Sequence, residues 1–199
     1  PVAAGMAGGS SNAAAVLVGL NKLWNLNLSN QQLEKIGLKL GADVPFCING
    51  GAVLALGIGE ELTPIKGLTK DVCILVCKPD LFVSTKEVYE CIDSKDIDKR
   101  PNNKFLIECL KNEDTRQLAE NMFNVLEGVT VEIHPVIQQI KDIMITNKAL
   151  GAMMSGSGPT VFGLYENRED AVKCKAILEK QFEQTFVVAC EEKGVEVNG

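Results

Sequence analysis

The sequence is poor in the residues from which metal sites are built. Its only histidine is His134, and its seven cysteines are scattered without a Cys-x-x-Cys pair. A structural zinc site needs about four closely placed Cys or His ligands, so this composition argues against a Cys/His metal centre. Cysteines in this pattern are typical of free thiols in a reducing cytosol, and we expect a cytoplasmic protein. His134 precedes Pro135, which suits the first turn of a helix, so we interpret it as a helix-start residue rather than a catalytic one.

Positive charge and long apolar runs are also scarce. The formal net charge of −6 argues against a nucleic-acid partner, although a helix N-terminus can bind phosphate without net positive charge. No apolar run is long enough to span a bilayer, so no membrane partner is predicted, and no basic stretch followed by an apolar core indicates a signal peptide. The first residue is Pro1 rather than Met, and we expect the chain to be a piece of a longer protein.

Hydrophobic periodicity predicts an α+β fold. Helical spacing of apolar residues predicts helices at 10–24, 29–40, 84–92, 104–111, 115–125, 133–147 and 167–181. Short apolar runs between turn residues predict strands in GAVLALG, EELTPI, DVCILVCKP, ALGAMM, TVFGLY and QTFVVACEE. GADVPF is predicted as a loop, and SGSGP as the turn of an antiparallel hairpin. The polar segment KGLTK, residues 66–70, predicts a domain boundary.

The first two helices carry the clearest local signals. Ser10 or Ser11 is predicted to cap the first helix, and Ser29 with Gln32 forms a capping box for the second. The predicted inward faces consist of Ala13, Leu17, Leu20 and Trp24 in the first helix and Leu33, Ile36 and Leu40 in the second. Gly41 is predicted to end the second helix.

The opening stretch, PVAAGMAGGSSNAA, is too poor in bulky side chains to form a core. Glycine and alanine let a ligand approach the backbone closely, and the helix that follows directs free N–H groups and partial positive charge toward an anion such as phosphate. The hydroxyls of Ser10 and Ser11 could reach phosphate oxygens or Mg²⁺, and Asn12 offers an amide. The alternative is a turn that only caps the helix. The stretch matches neither the P-loop nor the dinucleotide-binding motif.

Two further segments are candidates for a site. In Gly41–Phe46, Asp43 follows a predicted helix end among apolar neighbours, where a carboxylate can accept or orient a hydroxyl proton; the alternative is an ordinary turn aspartate. In Met154–Pro159, two glycines between apolar strands indicate a tight hairpin or a second backbone wall against a ligand.

Taken together and in order, these three segments resemble the motifs of the GHMP small-molecule kinases. P-x-x-x-G-M-A-G-G-S-S-N-A-A is similar to the phosphate-binding motif, and GAMMSGSGPTVFGLY resembles the C-terminal glycine motif. The resemblance covers nearly the whole chain and implies a two-domain fold whose N-terminal part is truncated. Residues 1–68 would be the remainder of the N-terminal, phosphate-binding domain, and residues 69–199 would form a C-terminal ferredoxin-like α/β sandwich.

The resemblance also implies a reaction. ATP, with Mg²⁺, would phosphorylate the 2-hydroxyl of a cytidine diphosphate-linked methylerythritol. The occurrence of LGADVPF together with the two glycine motifs favours this acceptor among those of the family. Asp43 matches the catalytic aspartate, and Ser10 and Ser11 would lie near Mg²⁺. The ATP-binding set would be Pro1, Val2, Ala3, Ala4, Gly5, Met6, Ala7, Gly8, Gly9, Ser10 and Ser11. The substrate-binding set would be Ile58, Thr85, Tyr89, Gly156, Ser157 and Gly158, with Tyr89 as a stacking ring; for Tyr89 the alternative is a half-buried helix aromatic.

The chain departs from the family pattern in two ways. Ala3, Ala4 and Ala7 stand where some members have glycine, which a negative φ would tolerate. The family's leading segment, with a catalytic lysine, the adenine pocket and one wall of the cytidine pocket, has no counterpart here, which leaves open that this piece folds without catalysing anything. Another GHMP kinase, for homoserine or mevalonate, and a non-catalytic nucleotide-binding module remain the alternatives. The assembly state, a homodimer included, is left open.

Overall fold

The computed structural model describes residues 4–95, 97 and 99–197. Within them the chain forms nine helices and six strands. The helices are α1 (Gly8–Leu23), α2 (Asn30–Gly37), α3 (Val44–Asn49), α4 (Thr85–Asp93), α5 (Asn103–Lys111), α6 (Thr115–Asn121), α7 (Glu127–Ile133), α8 (Val136–Thr146) and α9 (Arg168–Leu178). The strands are β1 (Ala52–Leu56), β2 (Glu61–Ile65), β3 (Cys73–Lys78), β4 (Gly151–Met154), β5 (Val161–Tyr165) and β6 (Gln184–Val188).

The chain divides into two compact units. The sheet unit comprises residues 4–6 and Leu68–Cys190, and the helical unit comprises Ala7–Gly67 with the residues from Glu191 onward. The assignment of 1–68 and 69–199 to the two domains of the family stays a prediction.

The sheet unit is built on a four-stranded antiparallel sheet with the order β4-β5-β3-β6. With α4–α8 between β3 and β4 and α9 between β5 and β6, this is the predicted ferredoxin-like arrangement. Apolar side chains cover both faces of the sheet, which explains the unbroken apolar run of β3. One face packs on α8 and α9 through Leu75, Cys77, Ile137, Ile140, Met144, Ala171, Cys174 and Leu178. The other packs on α5 and α6 through Cys109, Leu118, Ala119 and Leu164.

The helical unit consists of α1–α3 and the β1–β2 hairpin. Its core contains Ala14, Leu33, Val44, Cys47 and Ile48. The predicted capping box is confirmed, because the Gln32 N–H donates to Ser29 Oγ and the Ser29 N–H donates to Gln32 Oε1.

The predicted ends of the first two helices are wrong. Helix α1 begins at Gly8, its N-cap is Ala7 rather than Ser10 or Ser11, and Trp24 is 62% exposed. Helix α2 ends at Gly37, and a hydrogen-bonded turn precedes Gly41. Because that turn leaves the helical path, Leu40 is exposed. Ile36 is exposed within α2 itself, so Leu33 alone of the predicted stripe is buried.

Two short helices were not predicted. Helix α3 lies where GADVPF was predicted as a loop, since Pro45 in its first turn is compatible with a helix start. The second is α7: the helix predicted over residues 115–125 ends at Asn121 as α6, and α7 begins at Glu127. His134 ends α7, while its carbonyl accepts the N–H of Ile137 at the start of α8.

Candidate active site

The start of α1 presents backbone donors without acceptors. Its N-cap, Ala7, adopts a left-handed conformation (φ 49°) and makes no side-chain capping bond. The Ser11 N–H donates to the Ala7 carbonyl at 2.8 Å, whereas the N–H groups of Gly8, Gly9 and Ser10 have no acceptor among the described residues. Free amides at a helix N-terminus carry partial positive charge and favour an anion. The space in front of Gly9 is open, since a Cβ there would meet no atom within 4 Å.

Asp43 lies at the start of the neighbouring helix, α3. Its side chain is exposed and makes no hydrogen bond or ion pair within the described part of the chain. It borders a groove of ≈ 390 Å³ whose other walls come from Phe46, Gly51 and the β1–β2 hairpin. One turn beyond Asp43, Cys47 Sγ lies 3.5 Å from Ser11 Oγ. The first turns of α1 and α3 therefore lie side by side within the helical unit.

Close approach is required at Gly5 in the sheet unit. The Ser155 hydroxyl donates to the Gly5 carbonyl at 2.6 Å, and Gly5 has a φ of +68°. A Cβ at Gly5 would stand 2.1 Å from the Ser155 carbonyl oxygen, which no side chain could tolerate. Residues 4–6 therefore lie directly against the loop between β4 and β5.

That loop, residues 155–160, is called the glycine loop, and hydrogen bonds within its own backbone hold it. The Ser155 N–H donates to the Thr160 carbonyl at 2.8 Å, and the Gly158 N–H donates to the Ser155 carbonyl at 2.9 Å. Gly156 and Gly158 both have positive φ values. The tight hairpin that the sequence predicts is confirmed by the pairing of β4 with β5.

Three of the predicted substrate-binding residues lie together in the sheet unit. The hydroxyls of Thr85 and Ser157 are 2.9 Å apart, which joins the start of α4 to the glycine loop. Tyr89, one turn after Thr85 and on the same face of α4, is 52% exposed. An exposed fraction of this size leaves part of the ring accessible for stacking, and the stacking role of Tyr89 stays a prediction.

Of the remaining predicted site residues, Ile58 lies in the helical unit and three lie outside the described residues. Ile58 lies at the tip of the β1–β2 hairpin in the helical unit and is 80% exposed, with its N–H donating to Glu60 Oε2. Pro1, Val2 and Ala3 lie outside the described residues. Within the residues that are described, no group of three or more His, Cys, Asp or Glu side chains could hold a metal ion, and no helix is long and apolar enough to cross a membrane.

Sequence reasoning missed the side chains that brace the glycine loop. Asn124 donates to the carbonyls of Met154 and Gly156, and Glu127 accepts the N–H of Met154. The available signal was weak: an amide and a carboxylate among apolar residues in MFNVLE, a segment that was predicted as a single helix up to residue 125.

Comparisons with known proteins agree with the motif resemblance. The family model "GHMP kinases N terminal domain" matches residues 1–51, and "GHMP kinases C terminal" matches residues 106–184. The chain is 64% identical over all its 199 residues to 4-diphosphocytidyl-2-C-methyl-D-erythritol kinase from Clostridioides difficile (strain 630), of which it covers 67%. It is 54% identical over 188 residues, 94% of the chain, to the enzyme of the same name from Alkaliphilus metalliredigens (strain QYMF), of which it covers 64%. The chain thus spans about two thirds of the length of these relatives.

Solved structures give the same fold. The crystal structure of a 4-(cytidine 5'-diphospho)-2C-methyl-D-erythritol kinase superposes with a TM-score of 0.79 at 31% identity, over 94% of this chain and 66% of that one. A homoserine kinase from Cytophaga hutchinsonii superposes with a TM-score of 0.85 at 20% identity, over 98% of this chain and 68% of that one, which shows the fold alone. The two named relatives are 4-diphosphocytidyl-2-C-methyl-D-erythritol kinases, and the chain belongs to the GHMP kinase family of small-molecule kinases.

Proposed function

We propose that the full-length protein containing this chain transfers the γ-phosphate of ATP to the 2-hydroxyl of 4-diphosphocytidyl-2-C-methyl-D-erythritol, a step in isoprenoid precursor synthesis in the cytoplasm. One observation supports the proposal: the first turn of α1, with its unpaired amides, contacts α3 through Ser11 and Cys47, and the exposed Asp43 is the N-cap of α3. An anion-binding helix end next to an acid is what transfer of a phosphoryl group to an alcohol requires.

The segment from Pro1 to Ser11 would bind the triphosphate. The amides of Gly8, Gly9 and Ser10 point from the helix end without competing acceptors in the described residues, and the open space at Gly9 lets phosphate oxygens approach the backbone. Gly5, another residue of this segment, is held in the sheet unit by the hydroxyl of Ser155.

Ser10 and Ser11 would contact Mg²⁺. Their hydroxyls stand in the first turn of α1, next to the free amides, and hydroxyl oxygens are suitable ligands for a cation that is shared with phosphate groups. When bound, Mg²⁺ neutralises the charge of the phosphate oxygens. The chain's own part is to keep the two serine oxygens beside the triphosphate.

Asp43 would orient the acceptor hydroxyl and accept its proton. Phosphoryl transfer depends chiefly on positioning and charge stabilisation, so one well-placed carboxylate suffices on the acceptor side. The open groove beside Asp43 gives an alcohol access to the carboxylate.

The cytidine end of the substrate would contact Thr85, Tyr89, Ile58 and the loop residues Gly156, Ser157 and Gly158. The exposed Tyr89 ring supports this because a nucleobase stacks on an accessible aromatic face. Thr85 and Ser157 are already joined by a hydrogen bond, so one polar cluster could receive the cytidine moiety.

The substrate test compares three alcohols with ATP and Mg²⁺ in the full-length protein. We expect 4-diphosphocytidyl-2-C-methyl-D-erythritol to be phosphorylated, and homoserine and mevalonate to react far more slowly. Phosphorylation of homoserine but not of the cytidine compound would refute the proposal. Binding of ATP in a titration, without phosphorylation of any of the three alcohols, would instead favour the non-catalytic nucleotide-binding module.

The Asp43→Asn variant tests the proposed catalytic residue. We expect kcat to fall about 10²–10⁴-fold, the usual contribution of a general base, while the affinity for ATP is retained. Asp142→Asn is the matched control, because Asp142 is also exposed but lies on α8 in the sheet unit, where it accepts a hydrogen bond from Gln138 that asparagine can preserve. Equal activities of the two variants would exclude a catalytic role for Asp43.

A further inference from the structure

The backbone of the glycine loop is held from outside by one amide side chain, that of Asn124. Its Nδ2 donates to the Met154 carbonyl at 2.8 Å and to the Gly156 carbonyl at 2.7 Å, and its Oδ1 accepts the N–H of Leu126 at 2.9 Å. Both Nδ2 protons and one oxygen lone pair are thus used. The opposite amide orientation would place oxygen against two carbonyls, so the network fixes the orientation.

The two carbonyls that Asn124 holds flank Ser155. Strand β4 lies at the edge of the sheet, and the polar backbone groups of Met154, its last residue, are satisfied by side chains: the carbonyl by Asn124 and the N–H by Glu127 Oε2 at 2.7 Å. Because residues 154 and 156 are fixed, the Ser155 hydroxyl is directed at the Gly5 carbonyl, which it reaches at 2.6 Å.

The second serine of the glycine loop, Ser157, connects the loop to α7 and to the start of α4. The Thr130 hydroxyl, on α7, lies 3.3 Å from the Ser157 carbonyl, and the Ser157 hydroxyl is 2.9 Å from that of Thr85. The segment from Asn124 to Thr130 therefore braces a loop that touches Gly5 through one serine and Thr85 through the other.

We propose that Asn124 is a positioning residue for the phosphoryl transfer. By holding the carbonyls on both sides of Ser155, it sets the hydroxyl that fixes Gly5, which is itself one of the residues assigned to the triphosphate. The inference rests on the proposed function for its kinetic consequence, but the grip of Asn124 on the loop is a property of the sheet unit alone. Asn124 itself touches neither nucleotide nor alcohol in this assignment.

The test uses Asn124→Asp in the full-length protein. Aspartate keeps the oxygen that accepts the Leu126 N–H but replaces the double donor with an oxygen that faces two carbonyls. We expect kcat/KM for ATP to fall about 10²-fold, the loss that a misplacement of about 1 Å can cause. The matched control is Asn121→Asp, which removes an amide-to-carbonyl bond of the same kind, from Nδ2 to the Gln117 carbonyl (2.8 Å), on the exposed surface of α6; it should leave kcat/KM unchanged.

A double-mutant cycle separates positioning from general loss of stability. If Asn124 acts through Ser155, then Ser155→Ala in the Asn124→Asp background should cause little further loss in kcat/KM for ATP. Two losses that multiply independently would overturn the proposal, as would an Asn124→Asp variant no worse than Asn121→Asp.

Hydrogen exchange tests whether the hydrogen bonds of Asn124 hold the glycine loop, without relying on activity. In Asn124→Asp, the amides of Ser155 and Gly158, which bond within the loop, should exchange faster, while those of β3 keep their protection. Unchanged protection of the loop amides would refute the role of Asn124 even in a protein that lacks the proposed kinase activity. Faster exchange in a protein that phosphorylates none of the three alcohols would refute the proposed function but support the grip.

Discussion

Two glycines of the opening segment are needed for different reasons, Gly5 for the fold and Gly9 for the proposed ligand, and substitution can separate them. Gly5 is required by the fold, because of its positive φ and the adjacent Ser155 carbonyl. Gly9 is helical and faces open space, so nothing in the described structure prevents an alanine there. If Gly9 is nevertheless unsuited to a side chain, the reason is the ligand.

Gly9→Ala should therefore weaken ATP binding without destabilising the protein. We expect the dissociation constant for ATP to rise about tenfold or more, a change of at least about 1.4 kcal/mol, because a methyl group would stand in front of the free amides. The free energy of unfolding should stay the same or increase slightly, since alanine favours the helix. Calorimetric titration with ATP·Mg²⁺ and urea unfolding measure the two quantities on the full-length protein.

Gly19→Ala is the control for this experiment. Gly19 lies in the same helix and also has nothing within 4 Å of an added Cβ, so alanine should stabilise α1 by about 0.5–1 kcal/mol and leave ATP binding unchanged. Equal ATP affinities for the two variants would contradict a phosphate site at the start of α1.

At the residue scale, motifs predicted positions better than surroundings. Asp43, Thr85 and Tyr89 were identified from short sequence stretches; Asp43 lies exposed at a helix start and Tyr89 is about half exposed on α4, while their roles stay predictions. Periodicity wrongly predicted that Trp24 faces inward. It falls at the C-cap of α1, where the helical path ends and the spacing rule no longer applies.

At the element scale, the ion pair between Lys141 of α8 and Glu127 of α7 supports the end of β4. Both side chains are mostly buried, with relative exposures of 17% and 16%, and Glu127 also accepts the Met154 N–H. Lys141→Met should lower the free energy of unfolding by about 1–3 kcal/mol, because it leaves a partly buried carboxylate without its cation. Urea unfolding measures the loss.

Two further variants distinguish pairing from packing. Lys173→Met breaks an exposed ion pair with Glu169 and should cost less than about 0.5 kcal/mol. Adding Glu127→Gln to Lys141→Met should recover part of the loss, since it removes the uncompensated charge. A double variant as unstable as the sum of its parts would show that the pair itself stabilises little.

Elements were predictable where one local rule decided them. Helix α9 buries Ala171, Cys174 and Leu178, the inward residues that the helical spacing indicates, and its N-cap, Asn167, was predicted as the first residue of the helix. Helices α3 and α7 have only six and seven residues, too few for periodicity to be recognised. Their stability comes from tertiary packing of residues such as Val44 and Val129, which the sequence alone does not reveal.

At the scale of the whole molecule, fold and substrate are separate questions. The homoserine kinase superposes with a higher TM-score than the cytidine-compound kinase, 0.85 against 0.79, yet with lower identity, 20% against 31%. A shared fold supports many substrates. The residues of the site, not the superposition, therefore have to decide which alcohol is phosphorylated.

The alkaline stability of the molecule depends on its buried thiols. Burial raises the pKa of Cys77 from 9.0 to about 11, although a hydrogen bond with Thr185 opposes the shift. Burial likewise raises the pKa of Cys109 and of Cys174. Below pH 9 the Cys77 thiol is protonated in both the folded and the unfolded chain and has no effect on stability through its proton. Between pH 9 and 11 the unfolded chain releases a proton that the folded chain retains, so the free energy of unfolding must fall as the pH rises.

Replacing Cys77 should remove its share of this pH dependence. Relative to wild type, Cys77→Ala loses some stability at pH 8 because it creates a cavity. By pH 10.5 the wild type should have lost about 2 kcal/mol more than the variant, at about 1.4 kcal/mol per pKa unit. The two stabilities should converge or cross, as measured by urea unfolding at each pH. If the gap at pH 8 persists unchanged to pH 10.5, the Cys77 thiol titrates alike in the folded and unfolded chains, and the alkaline loss must come from other groups. Because the free-energy cost of the cavity does not depend on pH, any change with pH in the stability difference between the two proteins comes from the titration of the Cys77 thiol alone.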